Sequence, residues 1–282
     1  APFYTEIETL QHTEGTALPE TLWPKGIPDP SFGEDGAGGG SVRTVAGAVL
    51  AKEEDLACQK NHKFSYCPKI SVVVPAYRTP EIFLRQMIES LEKQSYENWE
   101  LVIGNASPED ETMARILKEY TGKDPRVKNV PIPENIGIAE NTNAALAAAA
   151  GNFVGFMDHD DLLAPDALFE IAIRLEKDPS INAFYTDEDK VRTDLSEYFQ
   201  PHFKPDFNLD LLRSNNYICH FFVVRREIAE KTGGLRPEYN GTLSKSTVQI
   251  HRAMMKIHRI FNNTQAYTYL IRKQRCIFSG NK

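Results

Sequence analysis

This chain of 282 residues has few cysteines and no long apolar run. Its four cysteines, Cys58, Cys67, Cys219 and Cys276, are too few for a disulfide scaffold, so a reducing, cytoplasmic setting is expected. No apolar stretch approaches the ~18 to 20 residues that span a bilayer, and the N-terminus lacks a basic segment followed by an apolar one. Neither a membrane helix nor a signal peptide is therefore predicted. With 41% hydrophobic residues, one large domain with appendages is expected.

Residues 242–282 lack acidic side chains altogether. They hold eight Lys or Arg and no Asp or Glu, a formal charge of +8, which leaves −15 on the first 241 residues of a chain with a total of −7. A basic tail attracts anionic surfaces. Docking onto the chain's own acidic body is the simpler explanation, and no nucleic-acid partner is predicted. Peripheral membrane association at the inner face of the membrane is an open alternative.

Two motifs that would suggest ligand binding are absent. The glycines between Gly33 and Gly40 do not form a phosphate-binding loop, because no strand precedes them and no helix follows at the required position. Cys58, His62 and Cys67 do not have the spacing of a compact zinc finger, so ordinary thiols are predicted. Residues 1–68 are predicted to be an N-terminal extension and linker, with a helix from residue 42 to about 61.

From residue 70 onward, apolar strands alternate with amphipathic helices. Strands are predicted at 70–74, 101–103, 127–130 and 153–157, and helical spacing of apolar residues separates them. This alternation implies right-handed crossovers and an α/β fold with a mostly parallel sheet flanked by helices on both faces. Ligands of such sheets bind at the carboxyl ends of the strands. Tyr77, Asn105 and Asp158 fall at those ends, so we expect them to line one crevice.

An acidic cluster, Asp158-His159-Asp160-Asp161, stands directly behind the fourth predicted strand. Buried carboxylates require a partner, and hard oxygen ligands suit Mg²⁺ or Mn²⁺. These cations usually share their remaining positions with phosphate oxygens. The cluster therefore predicts a divalent metal at Asp158 and Asp160 and a phosphorylated substrate. The structural alternative is an acidic turn that caps the helix starting near Ala164–Asp166.

A second acidic cluster, Asp187-Glu188-Asp189, is followed by an irregular segment. That segment is rich in aromatic residues and proline: Tyr198, Phe199, Pro201, Phe203, Pro205 and Phe207. It either forms a wall of a binding site or fills the core. A strand is predicted at 217–224. Within it, His220 is either a hydrogen-bonded interior residue or a contact for a diphosphate or metal.

Several motifs in register resemble the family 2 glycosyltransferases of the GT-A fold. They are the strand and turn at 70–77, Asn135-Ile136-Gly137-Ile138 with Asn143, Gly151 through the first acidic cluster, and Gly233-Gly234-Leu235. Stretches 185–190 and 216–220 are similar to bacterial enzymes that build surface polysaccharides, including rhamnosyl- and galactosyltransferase-like members. The resemblance covers roughly residues 48–241. The domain is placed at 69–241, between the extension at 1–68 and a divergent basic tail at 242–282.

The resemblance implies an inverting transfer of sugar from a nucleotide-sugar donor to a saccharide or lipid-linked acceptor in surface polysaccharide synthesis. It implies Mn²⁺ or Mg²⁺ held by Asp158 and Asp160. The donor-binding residues that it implies are Pro75, Ala76, Tyr77, Arg78, Asn105, Asn143, Asp158 and His220. Gly104-Asn105 stands where the family commonly has paired Asp residues, so the nucleotide need not be uridine.

The catalytic Asp of the family pattern is missing. After Asn240-Gly241 that pattern has an acidic motif whose Asp deprotonates the acceptor hydroxyl, whereas this chain has no later carboxylate. Asp187 and Asp189 are the candidates for the general base, against an acceptor-side or structural role. An active transferase and a donor-binding but impaired or truncated module are therefore both open. A nucleotidyltransferase is the weaker alternative, because Ala76–Pro80 is not a glycine-rich basic loop.

Overall fold

The structure is a computed structural model that describes residues 51–218 and 220–237, and residues 268–279 as backbone. The predicted extension up to residue 50, Cys219 and most of the predicted basic tail lie outside the described residues. The predicted helix from residue 42 is described only in its second half, where a helix spans Glu53–Lys60. No helix in the described ranges is long and apolar enough to cross a membrane.

Strands and helices alternate along the described chain. The strands are β1 (Ile70–Ala76), β2 (Trp99–Asn105), β3 (Val127–Pro131), β4 (Phe153–Phe156), β5 (Asp161–Leu163), β6 (Ala183–Val191), β7 (Tyr198–His202), β8 (Phe222–Arg225) and β9 (Thr268–Ser279). The helices are α1 (Glu53–Lys60), α2 (Glu81–Glu92), α3 (Glu111–Lys123), α4 (Ile138–Ala147), α5 (Ala167–Lys177), α6 (Leu209–Ser214) and α7 (Arg226–Lys231).

The described strands form one sheet in the order β3-β2-β1-β4-β8-β6-β9-β5, with β7 paired to β6. The first four run parallel to one another, β8 is antiparallel to both β4 and β6, and β9 is parallel to β6. Ala76 pairs with Asn105, and Val73 pairs with Phe156. The carboxyl ends of β1, β2 and β4 therefore lie side by side, as the sequence predicts.

Helices cover both faces of the sheet, and successive residues of β1 point to opposite sides. Val72 and Val74 pack with the apolar residues of α2, α3 and α5, whereas Val73 packs with those of α4, α6 and α7. All seven residues of β2 are buried. A strand that is apolar nearly throughout is the expected result of cover on both faces.

The helix signals in the sequence correspond to observed helices. Asp110 is the N-cap of α3, and its side chain accepts a hydrogen bond from the N–H of Met113. Pro80 is the N-cap residue of α2. The apolar residues that repeat at helical spacing in α3 are all buried: Met113, Ile116, Leu117 and Tyr120.

The strand predictions differ from the structure in several places. β1 continues through Pro75 to Ala76, and β2 spans Trp99–Asn105 rather than 101–103. The strand expected at 217–224 begins only at Phe222. β5, β6, β7 and β9 were not predicted, and β6 contains the second acidic cluster. β9 lies in the range that the sequence assigns to the basic tail and is placed between β6 and β5; the division into three regions stays a prediction.

A fully buried carboxylate stands at the amino end of the parallel strands. Glu100 Oε1 accepts hydrogen bonds from the Ser71 hydroxyl at 2.6 Å and from the Ala150 N–H at 2.6 Å. Its Oε2 lies 2.7 Å from Lys69 Nζ and 2.8 Å from Lys128 Nζ. Burial by itself raises the pKa of Glu100, but these partners outweigh it and hold the pKa at about 2.

Replacing Glu100 by Gln is expected to destabilise the fold by about 3 kcal/mol at neutral pH, the size that a shift from 4.5 to about 2 implies. Because the folded pKa is lowered, the contribution of this carboxylate is present above about pH 4.5 and is lost as the pH falls toward 2. When urea unfolding is measured between pH 2.5 and 7, the free energy of unfolding should therefore fall less steeply with decreasing pH in Glu100→Gln than in the parent chain.

The control is Glu119→Gln, which removes a half-exposed carboxylate paired with Arg85 on the protein surface. It should change the unfolding free energy by less than about 1 kcal/mol. An unchanged acid dependence in Glu100→Gln would contradict the assignment of this network.

Candidate functional site

The ends of β1 and β2 form one wall of the candidate site. The Ala106 N–H donates to the Ala76 carbonyl at 2.9 Å, and the Arg78 N–H donates to the Ser107 hydroxyl at 2.9 Å. Tyr77 is 39% exposed, and the guanidinium of Arg78 lies 5.2 Å from the centre of its ring. The end of β1 thus presents an accessible aromatic ring and a cationic group beside each other.

Asn105 stands at the end of β2, next to Ala76, but it is only 1% exposed. Its Oδ1 accepts a hydrogen bond from the Ser107 N–H at 3.0 Å. The side chain therefore shapes the turn after β2, and the same turn holds the backbone of Arg78 through Ser107. A direct contact between Asn105 and a base stays a prediction.

Two carboxylates and one imidazole meet where β4 ends. β4 is continued by the Met157 N–H, which donates to the Val73 carbonyl at 3.3 Å, and Asp158 follows. Nε2 of His220 lies 3.4 Å from Oδ2 of Asp158. Together with Asp161, these residues place one possible ligand atom each within 4.8 Å of one another. Among the described residues, this group is the one arranged to hold a metal ion.

The structure brings together Asp158 and His220 from the predicted site and adds Asp161, the first residue of β5. Asp160 lies outside this group, and its role as a ligand stays a prediction. The helix-capping alternative has little support, since Asp166 is the N-cap residue of α5 and the cluster lies before it. Two carboxylate oxygens and one imidazole nitrogen fit a divalent cation such as Mn²⁺.

The second acidic cluster lies inside β6 and contacts the end of β7 and the segment that follows it. Asp187 is 2% exposed, and its Oδ1 accepts a hydrogen bond from the Lys204 N–H at 2.7 Å. Glu188 forms an ion pair with Lys204 Nζ at 2.8 Å, and its Oε1 lies at hydrogen-bond distance, 3.0 Å, from His202 Nδ1. Asp189 is 4% exposed. The roles of Asp187 and Asp189 as general bases stay predictions.

The aromatic segment after β6 packs against the core at two of its residues. The Tyr185 hydroxyl donates to the Pro205 carbonyl at 2.7 Å. Phe207 packs against the apolar cluster around α4, and Tyr198 packs against a smaller one beneath β5. Phe203 is 54% exposed, and Pro205 is exposed as well. Of the two alternatives left open by the sequence, core filling is supported for Tyr198 and Phe207, which are half-buried against apolar clusters.

A family model described as glycosyl transferase family 2 matches residues 71–233, more than half of the chain. The chain belongs to this family. The match begins in β1 and ends in the turn after α7, so it contains Asp158, Asp161 and His220.

Curated relatives of this family 2 chain include proteins named for polysaccharide synthesis. The O-antigen biosynthesis protein RfbC of Myxococcus xanthus is 37% identical over 193 residues, which are 68% of this chain and 15% of the relative. The chondroitin synthase of Pasteurella multocida is 32% identical over 160 residues, which are 56% of this chain and 16% of the relative. The matched region is less than a fifth of the length of these relatives.

Solved structures confirm the predicted GT-A fold of the family 2 domain. S. aureus TarS 1–349 in complex with UDP has a TM-score of 0.54 and 19% identity, covering 76% of this chain and 58% of that one. The mannosyltransferase PcManGT of Pyrobaculum calidifontis, in complex with GDP-Man and Mn²⁺, has a TM-score of 0.54 and 17% identity, covering 81% and 64%. At these identities the likeness concerns the fold alone.

Within the family 2 domain, Asn143 of α4 clamps the turn after α7. Its Nδ2 donates to the Leu235 carbonyl at 2.7 Å, and its Oδ1 accepts from the Leu235 N–H at 2.8 Å. Gly233 and Gly234 both have positive φ, +80° and +66°. A Cβ on Gly234 would lie 2.4 Å from Asn143 Oδ1. The carboxamide thus holds the turn, and a direct donor contact by Asn143 stays a prediction.

Two neighbouring substitutions separate backbone strain from loss of this clamp. The Cβ introduced by Gly233→Ala has no other atom within 4 Å, so this substitution should cost only the strain of a left-handed backbone, about 1–2 kcal/mol. Gly234→Ala incurs the same strain and also displaces Asn143, so we expect a further loss of about 1–3 kcal/mol. Denaturant unfolding measures both differences.

The Asn143→Ala background is the control, because the clamp is already absent there. In that background, the two alanine substitutions should destabilise the protein by similar amounts. Equal effects in the parent chain, or an undiminished difference in the background, would show that the clamp does not act through Gly234.

Proposed function

We propose that this domain transfers a sugar from a nucleotide-sugar donor to a hydroxyl group of a saccharide acceptor, with inversion at the anomeric carbon. The observation that carries the proposal is the group of Asp158, Asp161 and His220 at the carboxyl edge of the sheet of a family 2 domain. The printed names of the relatives, O-antigen biosynthesis protein and chondroitin synthase, favour polysaccharide synthesis. A lipid-linked acceptor, a cytoplasmic location and attachment at the inner membrane face stay predictions.

In this proposal, Asp158 and Asp161 each supply a carboxylate oxygen and His220 supplies an imidazole nitrogen to a divalent cation. When bound, the cation would neutralise the negative charge that develops on the departing nucleoside diphosphate. An imidazole ligand favours Mn²⁺ over Mg²⁺, because Mg²⁺ prefers oxygen ligands. The complex of PcManGT with GDP-Man and Mn²⁺ shows that a chain of this fold binds such a pair.

The nucleotide would lie against the ends of β1 and β2. Pro75 and Ala76 close that end of the sheet, and the accessible ring of Tyr77 offers a face on which a base can stack. Arg78, beside that ring, offers a cation to the nucleotide. Asn105, which holds the turn after β2, would set the base preference indirectly through the shape of that turn.

Calorimetric titration of Mn²⁺ into the protein tests the metal ligands. Asp161→Asn should weaken Mn²⁺ binding by at least ~10-fold, because a charged ligand is replaced by a neutral one of the same shape. Asp160→Asn, one residue away, is the matched control and should have a much smaller effect. The opposite order would return the ligand role to Asp160, and no Mn²⁺ binding by the parent chain would overturn the metal site.

A second candidate function is donor binding without efficient transfer, and the burial of Asp187 and Asp189 supports it. Asp187 is buried and accepts a hydrogen bond from the backbone of Lys204, and Asp189 is nearly as inaccessible. Residues 242–282 contain no Asp or Glu side chain. An acceptor hydroxyl needs a general base within hydrogen-bond distance. The chain would therefore bind a donor without efficient transfer if neither residue can act as that base.

Transfer kinetics distinguish the two candidates. If the domain is active, we expect Asp189→Asn to lower kcat by ~10²- to 10⁴-fold while donor affinity stays unchanged, since the loss concerns proton removal from the acceptor. Asp187→Asn should instead reduce stability, because Asp187 holds the backbone of Lys204. Donor binding by calorimetry with no transfer by the parent chain would favour the second candidate.

A further inference from the structure

Lys204 is a lysine whose side chain is completely buried. Its Nζ donates to the Ile218 carbonyl at 2.7 Å and to the His220 carbonyl, and it lies 2.8 Å from Oε2 of Glu188. An ammonium group has three donors and no acceptor, and here it has two carbonyl acceptors and one carboxylate oxygen at ion-pair distance. The buried charge is thereby fully engaged.

The pairing of this charge matters because burying an ammonium group costs several kcal/mol unless it is well paired. The ion pair with Glu188 offsets part of that cost, and Glu188 is itself held by His202 at 3.0 Å. The backbone N–H of Lys204 donates to Asp187 at 2.7 Å. Lys204 is therefore fixed to β6 at both its backbone and its side chain.

From this fixed position, Lys204 holds the segment that carries the imidazole of the proposed metal site. Its ammonium group binds the backbone on both sides of residue 219, at the Ile218 and His220 carbonyls. The side chain of the same His220 places Nε2 at 3.4 Å from Asp158. The chain of contacts runs from β6 through Lys204 to the backbone of His220 and then to the carboxylate at the end of β4.

We propose that Lys204 is a positioning residue of the proposed metal site: it fixes His220 through backbone carbonyls and touches neither metal nor substrate. The inference rests on the metal site of the proposed function. Losing the ammonium group would leave the carbonyls of Ile218 and His220 without their common donor, and the imidazole would lose its fixed distance to Asp158. Groups that orient a metal ligand commonly account for 10- to 100-fold in metal affinity.

Lys204→Met tests this inference, since it keeps the length and apolar body of the side chain and removes the charge. Calorimetric titration of Mn²⁺ into the folded variant should show affinity at least ~10-fold weaker than that of the parent chain. Glu100→Gln is the matched control. It disturbs another buried ion pair, at the amino end of the strands, and should leave Mn²⁺ affinity unchanged while lowering stability.

Two further variants separate the carbonyl contacts from the ion pair. Glu188→Gln keeps Lys204 and its carbonyl partners, so Mn²⁺ affinity should change much less than in Lys204→Met. If Lys204→Met does not fold, the double variant Lys204→Met/Glu188→Gln removes both charges, avoids an unpaired buried carboxylate, and should show the same loss of Mn²⁺ affinity.

The outcomes distinguish this inference from the proposed function. Weak Mn²⁺ binding in His220→Ala together with unchanged binding in Lys204→Met, or in the double variant, overturns the role of Lys204 and leaves the metal site standing. Equal losses in Lys204→Met and Glu100→Gln would show a general effect of instability and would also overturn it. Absence of Mn²⁺ binding in the parent chain overturns both proposals.

Discussion

Carboxylates that the fold buries must find donors or cations, and the arrangement of this sheet follows from how they do so. Helices cover both faces of the sheet. Charged groups therefore find partners mainly at the strand ends and along β6, where parallel and antiparallel pairing meet. At the amino end of the parallel strands, Glu100 forms ion pairs with Lys69 and Lys128. At the carboxyl end, Asp158 and Asp161 lie close to His220, and in β6 Glu188 pairs with Lys204.

These groups differ in burial and in what surrounds them: the Glu100 side chain is fully buried, whereas that of Asp158 is 37% exposed. Glu100 accepts hydrogen bonds from Ser71 and Ala150 and pairs with two ammonium groups, and these partners lower its pKa to about 2. Such a carboxylate stays ionised and has a structural role. Asp158 and Asp161 instead bring oxygen atoms close to an imidazole nitrogen at the edge where ligands of α/β sheets bind. That difference separates the structural end of the sheet from its proposed functional end.

Local patterns in the sequence predict the parallel half of the fold well. The stripe on α3 and the apolar runs of β1, β2 and β4 depend on spacing within one element, and each is present. The resemblance to family 2 glycosyltransferases, carried by motifs in register, is confirmed by the family match at 71–233. Local spacing and motif order therefore determine the fold class.

Features that depend on distant pairing could not be predicted in the same way. β5 has three residues and no periodicity of its own, so the sequence gives no reason to prefer Asp161 over Asp160 beside His220. The clamp between Asn143 and Leu235 joins residues far apart in the chain. The contact of Lys204 with two backbone carbonyls leaves no sequence pattern at all, because any residue presents a carbonyl.

The order of strands in the sheet also has a consequence for synthesis of the chain. The block β3-β2-β1-β4 is complete in sequence at Phe156. Among the described strands, the other edge of β4 is paired by β8, and β6 pairs with β9 through residues 268–279. An unpaired strand edge is a template for pairing with another chain. The nascent protein therefore exposes an open strand edge until first β8 and then β9 have been translated, and this edge is open to pairing with other chains during that interval.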